Sequence, residues 1–200
     1  MNNYFLFTGK DSPGGVASAF APKDTKLAHD LMSDLDNVNE MPFEFNLVKL
    51  TVGRKGLIES DDLSGINEIW KDYQINSLVY PILSEKLKTI IENNLTGKEG
   101  IEWISAKING NGEQRIYYIL RFKKLLDVLD TEKTIFNELT GGVIIPRFSL
   151  EKVQNFSVFH RPTAYPLWRI PSGLYISDKL KKAIQKEKCT GVSFEKTMVS

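Results

Sequence analysis

Two stretches of the chain, residues 81–103 and 174–194, repeat one pattern of apolar and polar positions. Each begins with a short apolar segment, passes through a serine and an acidic residue, and then places apolar residues at helical spacing. A glycine and a second short apolar segment follow. Because serine is a good helix N-cap and glycine redirects the chain, each stretch predicts a strand, a helix and a second strand.

The two predicted helices have the same two faces. Lysines occupy the face opposite the apolar one, which is more typical of a solvated surface than of a site for an anionic partner. Two copies at this separation are too few for a solenoid, so they indicate a duplicated unit inside one or two small domains. The apolar positions are Leu87, Ile90 and Ile91 in the first helix and Leu180, Ala183 and Ile184 in the second.

Most of the remaining pattern predicts strands. The clearest is a hairpin in which the turn Asn109–Gly112 joins two alternating segments, 101–108 and 115–122. Two further helices are expected, one capped by Asp24 and one around Ile66–Trp70. The predicted fold class is therefore α+β, a mostly antiparallel sheet with the two related helix–strand units packed on it. The other expected strands cover residues 4–7, 43–50, 143–145, 153–159 and 167–170.

The charge is unevenly distributed along a chain of otherwise ordinary globular composition. The net charge of +1 argues against nucleic acid as the main partner. Residues 24–72 hold 11 acidic and 5 basic residues, a balance of −6, whereas residues 79–200 hold 13 and 19, a balance of +6. This contrast suggests an acidic N-terminal part, 1–75, and a second part, 76–200, that holds both repeat copies. The alternative is that the two parts form one continuous domain.

Cysteine use and hydropathy indicate the compartment. The single Cys189 cannot form an intramolecular disulfide, which fits a reducing environment. The first residues lack the charged region of a signal peptide, and no window is apolar for the length of a membrane span. A soluble, cytoplasmic protein without a membrane partner is expected.

Motifs that would carry catalysis are missing from the sequence. There is no nucleophile elbow, zinc spacing, metal-ligand cluster or dinucleotide fingerprint. We therefore expect no catalytic residue, no metal and no cofactor.

Segments in the last two thirds of the chain resemble a bacterial immunity-protein family, the eleventh named in polymorphic-toxin systems. The resemblance covers about residues 70–198, and a neighbouring immunity family shares much of the C-terminal motif, so both stay open. The segments that carry it are Leu167-Trp-Arg-Ile170, Leu174-Tyr-Ile-Ser-Asp-Lys-Leu180, Cys189-Thr-Gly-Val-Ser-Phe194, Ile82-Leu-Ser-Glu-Lys-Leu87, Tyr117-Tyr-Ile-Leu120 and Leu129-Asp-Thr-Glu-Lys133.

The resemblance implies an antidote, a protein that binds a toxin domain encoded nearby and blocks it without catalysis of its own. The signature residues have folding roles, so the contact surface is expected elsewhere. One candidate is the acidic stretch, which could mimic a phosphate substrate or neutralise a basic toxin face. The other is a loop with residue types favoured at binding hot spots. The candidates are Glu59, Asp61, Asp62 and Glu68 in the acidic stretch and His160, Arg161 and Tyr165 in the loop.

Two alternatives to an antidote remain. One is a small-molecule-binding or enzymatic domain with a site around His160, Arg161 and Arg169, which predicts a concave pocket with a perturbed histidine. The other is a scaffold module of a secretion apparatus, which predicts self-association without a toxin. The sequence leaves the oligomeric state open.

Overall fold

The computed structural model of the chain describes residues 3–10, 16–54, 56–163 and 166–200. Four helices and one 3-10 turn, Pro166–Trp168, accompany the strands of this part of the chain. The helices are α1 (Ala28–Leu31), α2 (Glu85–Glu92), α3 (Leu150–Val153) and α4 (Asp178–Lys186). The strands are β1 (Tyr4–Gly9), β2 (Val16–Phe20), β3 (Phe45–Gly53), β4 (Gly56–Ser60), β5 (Tyr73–Gln74), β6 (Ile82–Leu83), β7 (Ile101–Gly110), β8 (Glu113–Phe122), β9 (Ile135–Phe136), β10 (Val143–Ile145), β11 (Val158–Phe159), β12 (Leu174–Ser177) and β13 (Val192–Lys196).

The larger sheet curls until its two edges meet. Its strand order is β2-β3-β7-β8-β6-β5, with β4 paired to the far half of β3. All neighbours are antiparallel except β3 and β7. Just beyond β5, the Ala19 N–H donates to the Ile75 carbonyl at 2.7 Å, which joins that edge to β2. The ring encloses an apolar core to which Phe45, Ile104 and Ile119 contribute fully buried side chains.

The smaller sheet brings the two ends of the chain together. Its order is β11-β12-β1-β13, with every pair antiparallel. The first strand, β1, thus lies between two strands from the last 30 residues. Residues before position 76 therefore supply strands to both sheets.

Helices α2 and α4 contact each other and pack on the core that the two sheets share. Each begins at a serine whose hydroxyl accepts a backbone N–H three residues on, Ser84 from Leu87 and Ser177 from Leu180, both at 3.3 Å. Leu87, Ile91, Leu180 and Ile184 are fully buried in this core. A sheet-rich α+β fold is confirmed; the common origin of the two helix–strand units stays a prediction.

The irregular segments differ from their predictions. Asp24 does not cap α1, which begins after Leu27 without a side-chain cap and spans only four residues. Turns follow this short helix, and Leu31, Met32 and Leu35 are buried in the ring core. Residues 66–70 are not helical, and 167–170 form a 3-10 turn and bends instead of a strand. Their apolar side chains reach the cores without regular structure.

Gly191 lies where the chain passes from α4 into β13, with φ of +70°. A Cβ on this residue would lie 2.5 Å from the Tyr73 carbonyl oxygen. Gly112, in the β7–β8 turn, has a similar φ of +76°, but a Cβ there would meet no atom within 4 Å.

We predict that Gly191→Ala lowers the free energy of unfolding by about 3 kcal/mol or more, because a steric overlap with backbone adds to the left-handed conformation. Gly112→Ala should lower it by only about 1 kcal/mol, the cost of the conformation alone. Urea denaturation of both variants measures the difference. Equal losses would contradict the close packing of Gly191 on Tyr73.

Candidate partner-binding surface

The acidic stretch occupies the end of β4 and the turns after it. Glu59, Asp61, Asp62 and Glu68 are all exposed. Asp62 accepts both the backbone N–H and the hydroxyl of Ser64 at 2.9 Å, and these bonds hold the pKa of its carboxyl below the usual range. Asp62 therefore stabilises its own turn as well as carrying charge.

The other three carboxylates differ in how they are paired. Glu68 forms an ion pair with Lys71 at 2.5 Å. Within the described part of the chain, Glu59 and Asp61 make no side-chain hydrogen bond or ion pair. Glu59 and Asp61 are thus the two carboxylates of the stretch that are most available to a partner.

The strand that carries Glu59 also exposes apolar side chains that are not among the contact residues predicted from the sequence. In the β3–β4 hairpin Val52 is 88% exposed, Leu57 69% and Ile58 55%. Val52 and Leu57 are directly opposite each other, so they form one apolar patch beside Glu59. The sequence does contain a signal for this exposed hairpin: two residues lie between glycines, and apolar residues flank the glycines on both sides.

His160 lies in the core instead of on the surface. Its side chain is fully buried, its ring centroid is 4.7 Å from that of Phe122, and Trp168 packs at 5.3 Å. Its Nε2 accepts the backbone N–H of Leu126 at 3.1 Å. Burial lowers the pKa of the imidazole, so the ring is neutral at physiological pH.

The other residues proposed around His160 have separate surroundings. Arg161 is half-buried, and its guanidinium donates to the Val143 carbonyl at 3.4 Å. Arg169 forms an ion pair with Asp36 and lies over the Trp168 ring. Tyr165 falls outside the described residues. Of the predicted loop residues that the structure describes, Arg161 is therefore the one that a partner can reach.

Three surface cavities lie elsewhere in the molecule. One of about 470 Å³ lies between α2 and α4, one of about 520 Å³ at the start of α4, and one of about 300 Å³ beside α1. None of these three is lined by His160, Arg161 or Arg169. The described residues hold no group of three or more side chains suited to a metal ion, and none of their helices is long and apolar enough to cross a membrane.

A comparison with protein-family models decides between the related families. The model described as Immunity protein family (Imm11) matches residues 61–199, well over half of the chain. The chain belongs to the Imm11 immunity protein family. The match begins after β4, so the β3–β4 hairpin and Glu59 lie before the Imm11 segment. No curated protein matches the chain.

The burial of His160 predicts a pH dependence of stability. In the folded protein the pKa of the His160 imidazole is below the ordinary value of about 6.5. As the pH falls, the imidazole is therefore protonated in the unfolded chain before it is protonated in the folded one. The free energy of unfolding should therefore fall as the pH drops below about 6.5 toward the folded pKa. His160→Gln, which keeps an acceptor near the position of Nε2, should lose less stability over this interval than the wild type does.

Urea denaturation at a series of pH values measures this effect. His29→Gln is the matched control, because His29 is a surface residue whose side chain is 60% exposed. We expect this control to retain the wild-type pH dependence. If His29→Gln instead of His160→Gln flattened the curve, the assignment to the buried ring would be wrong.

Proposed function

We propose that the protein is an antidote that binds a toxin domain encoded nearby and neutralises it by stoichiometric association. The observation that carries this proposal is the Imm11 match over residues 61–199. An inhibitor of this kind needs a complementary surface, not reacting groups. The neutral, enclosed His160 is consistent with that requirement.

The contact surface that we propose centres on the exposed acidic stretch. Glu59 and Asp61 have free carboxylates in the described part of the chain, and Asp62 and Glu68 extend the negative surface. A partner face rich in lysine and arginine would complement it, and such complementarity accelerates association and excludes wrong partners. The adjoining Val52–Leu57 patch supplies apolar area that remains exposed in the free protein.

Arg161 forms a second, smaller part of the proposed surface, and Tyr165, which lies outside the described residues, remains a candidate from the sequence alone. Arginine and tyrosine are frequent among residues that dominate binding energy. We leave His160 out, because its burial keeps the ring from any partner.

The family signature residues lie outside the proposed surface because each has a folding role. Ser177 caps α4, and Leu180 is fully buried beneath that helix. Phe194 stacks on Phe7 with ring centroids 5.5 Å apart. A surface that must match one particular toxin is better placed off such positions, and the β3–β4 hairpin satisfies this requirement.

The proposal is tested in bacterial cells that express the neighbouring toxin gene. We expect co-expression to restore growth, and the two proteins to purify together at a fixed ratio. The antidote would act in the cytoplasm. With a toxin shown to be active, growth arrest that persists and the absence of a complex would overturn the proposal.

Charge reversal tests the acidic surface separately. We predict that Glu59→Lys combined with Asp61→Lys weakens toxin binding about ten- to a hundredfold, because two attractive contacts become repulsive. The matched control is Glu132→Lys with Glu138→Lys, which makes the same change in net charge at exposed positions elsewhere.

Isothermal titration calorimetry or surface plasmon resonance, each at two salt concentrations, measures the toxin affinity of both double variants. The control should bind like the wild type. Equal weakening in the two double variants would show that total charge, and not the acidic stretch, governs association.

A further inference from the structure

β4 is an edge strand whose outer side is open. It pairs with β3 from Gly53–Gly56 to Lys49–Ser60. In the part of the chain that the structure describes, it pairs with no second strand. Residues 56–59 are all exposed. An open edge that carries apolar side chains is a template for another strand, and proteins usually cover or charge such edges.

The hairpin geometry identifies the backbone groups that point outward. Two residues join Gly53 and Gly56, and in such a hairpin the pair next to the loop is hydrogen-bonded. Hydrogen-bonded and non-hydrogen-bonded pairs then alternate, so Ile58 bonds back to β3. The N–H and carbonyl groups of Leu57 and Glu59 therefore point away from β3.

We propose that β4 is a self-association edge, to which β4 of a second copy of this chain adds in antiparallel orientation with the two-fold axis at Ile58. Leu57 of each copy then exchanges both backbone hydrogen bonds with Glu59 of the other. Ile58 of one copy faces Ile58 of the other, and their side chains form an apolar contact. The exposed Arg54 of each copy lies at the end where the other copy carries its acidic turn.

Charge and side-chain shape favour this register over the two neighbouring registers, which are centred on Glu59 and on Leu57. Centring the pair on Glu59 would place two carboxylates directly opposite each other, which is unfavourable. Centring it on Leu57 would exchange the Ile58 pair for a Leu57 pair, place Ile58 opposite Gly56, and move Arg54 from a position opposite Asp62 to one opposite Ser60. The register centred on Ile58 pairs the two isoleucines and brings the basic turn to the acidic end, so the strand complements itself.

This edge contact is compatible with a toxin on the same hairpin. Strand addition uses backbone groups at the edge and leaves the side chains on both sheet faces accessible. The proposal is therefore independent of the proposed function. Since a five-residue strand covers little surface, we expect a weak dimer that depends on protein concentration.

Single-cysteine variants test the register directly. In a Cys189→Ser background, Ile58→Cys places two thiols across the axis in a non-hydrogen-bonded pair, where Cα atoms are about 4.5 Å apart and a disulfide fits. We expect mild oxidation to yield a covalent dimer. Val52→Cys is the control: it is more exposed, 88% against 55%, but lies on β3. It should remain monomeric.

A proline variant tests the edge without a cross-link. Leu57→Pro removes an outward N–H and leaves the ladder to β3 intact. In sedimentation equilibrium of otherwise wild-type protein, the association constant should fall at least about tenfold, with circular dichroism unchanged. A wild-type protein that stays monomeric at high concentration would overturn the proposal, as would cross-linking that is equal in both cysteine variants or a dimer that survives Leu57→Pro.

Discussion

One residue, Asp72, links the two sheets through hydrogen bonds of its side chain and backbone. Its carboxylate accepts the Ser84 hydroxyl at 2.7 Å at the start of α2 and the Thr190 N–H at 2.8 Å just after α4. Its backbone carbonyl accepts the Ser84 N–H at 2.8 Å, and the next residue, Tyr73, donates to the Thr190 carbonyl at 3.1 Å. One side chain thus joins both helix–strand units and holds the ring against the smaller sheet, and Gly191 is glycine because the chain passes this junction so closely.

Closure of the ring also explains why one hairpin is left open. β3 pairs with β7 only at Phe45 and Asn46, after which β7 turns back into β8. The far half of β3 continues beyond the ring, and on that side β4 is the strand that pairs with it within the described residues. The protein therefore combines a closed core with a protruding strand edge, and Val52, Leu57 and Glu59 are exposed in that hairpin.

Local patterns in the sequence predicted the parts of the fold that local interactions determine. The serine caps of α2 and α4 and the turn between β7 and β8 are set by neighbours a few residues away, and the α+β class followed from them. Ring closure could not be predicted, because it joins Ala19 to Ile75. His160 lies in a loop with residue types typical of binding sites, yet Phe122 and Trp168 from other segments enclose it. Burial of this kind is a property of the assembled structure.

The proposed antidote would inhibit its toxin by occupying it, one protein chain per toxin domain. The most direct test is a titration of purified, active toxin with purified protein, with residual toxin activity measured after equilibration. We expect activity to fall linearly and to reach its floor at one protein chain per toxin domain, independent of incubation time. Progressive inactivation of a molar excess of toxin by a small amount of protein would contradict stoichiometric inhibition and indicate a catalytic mechanism.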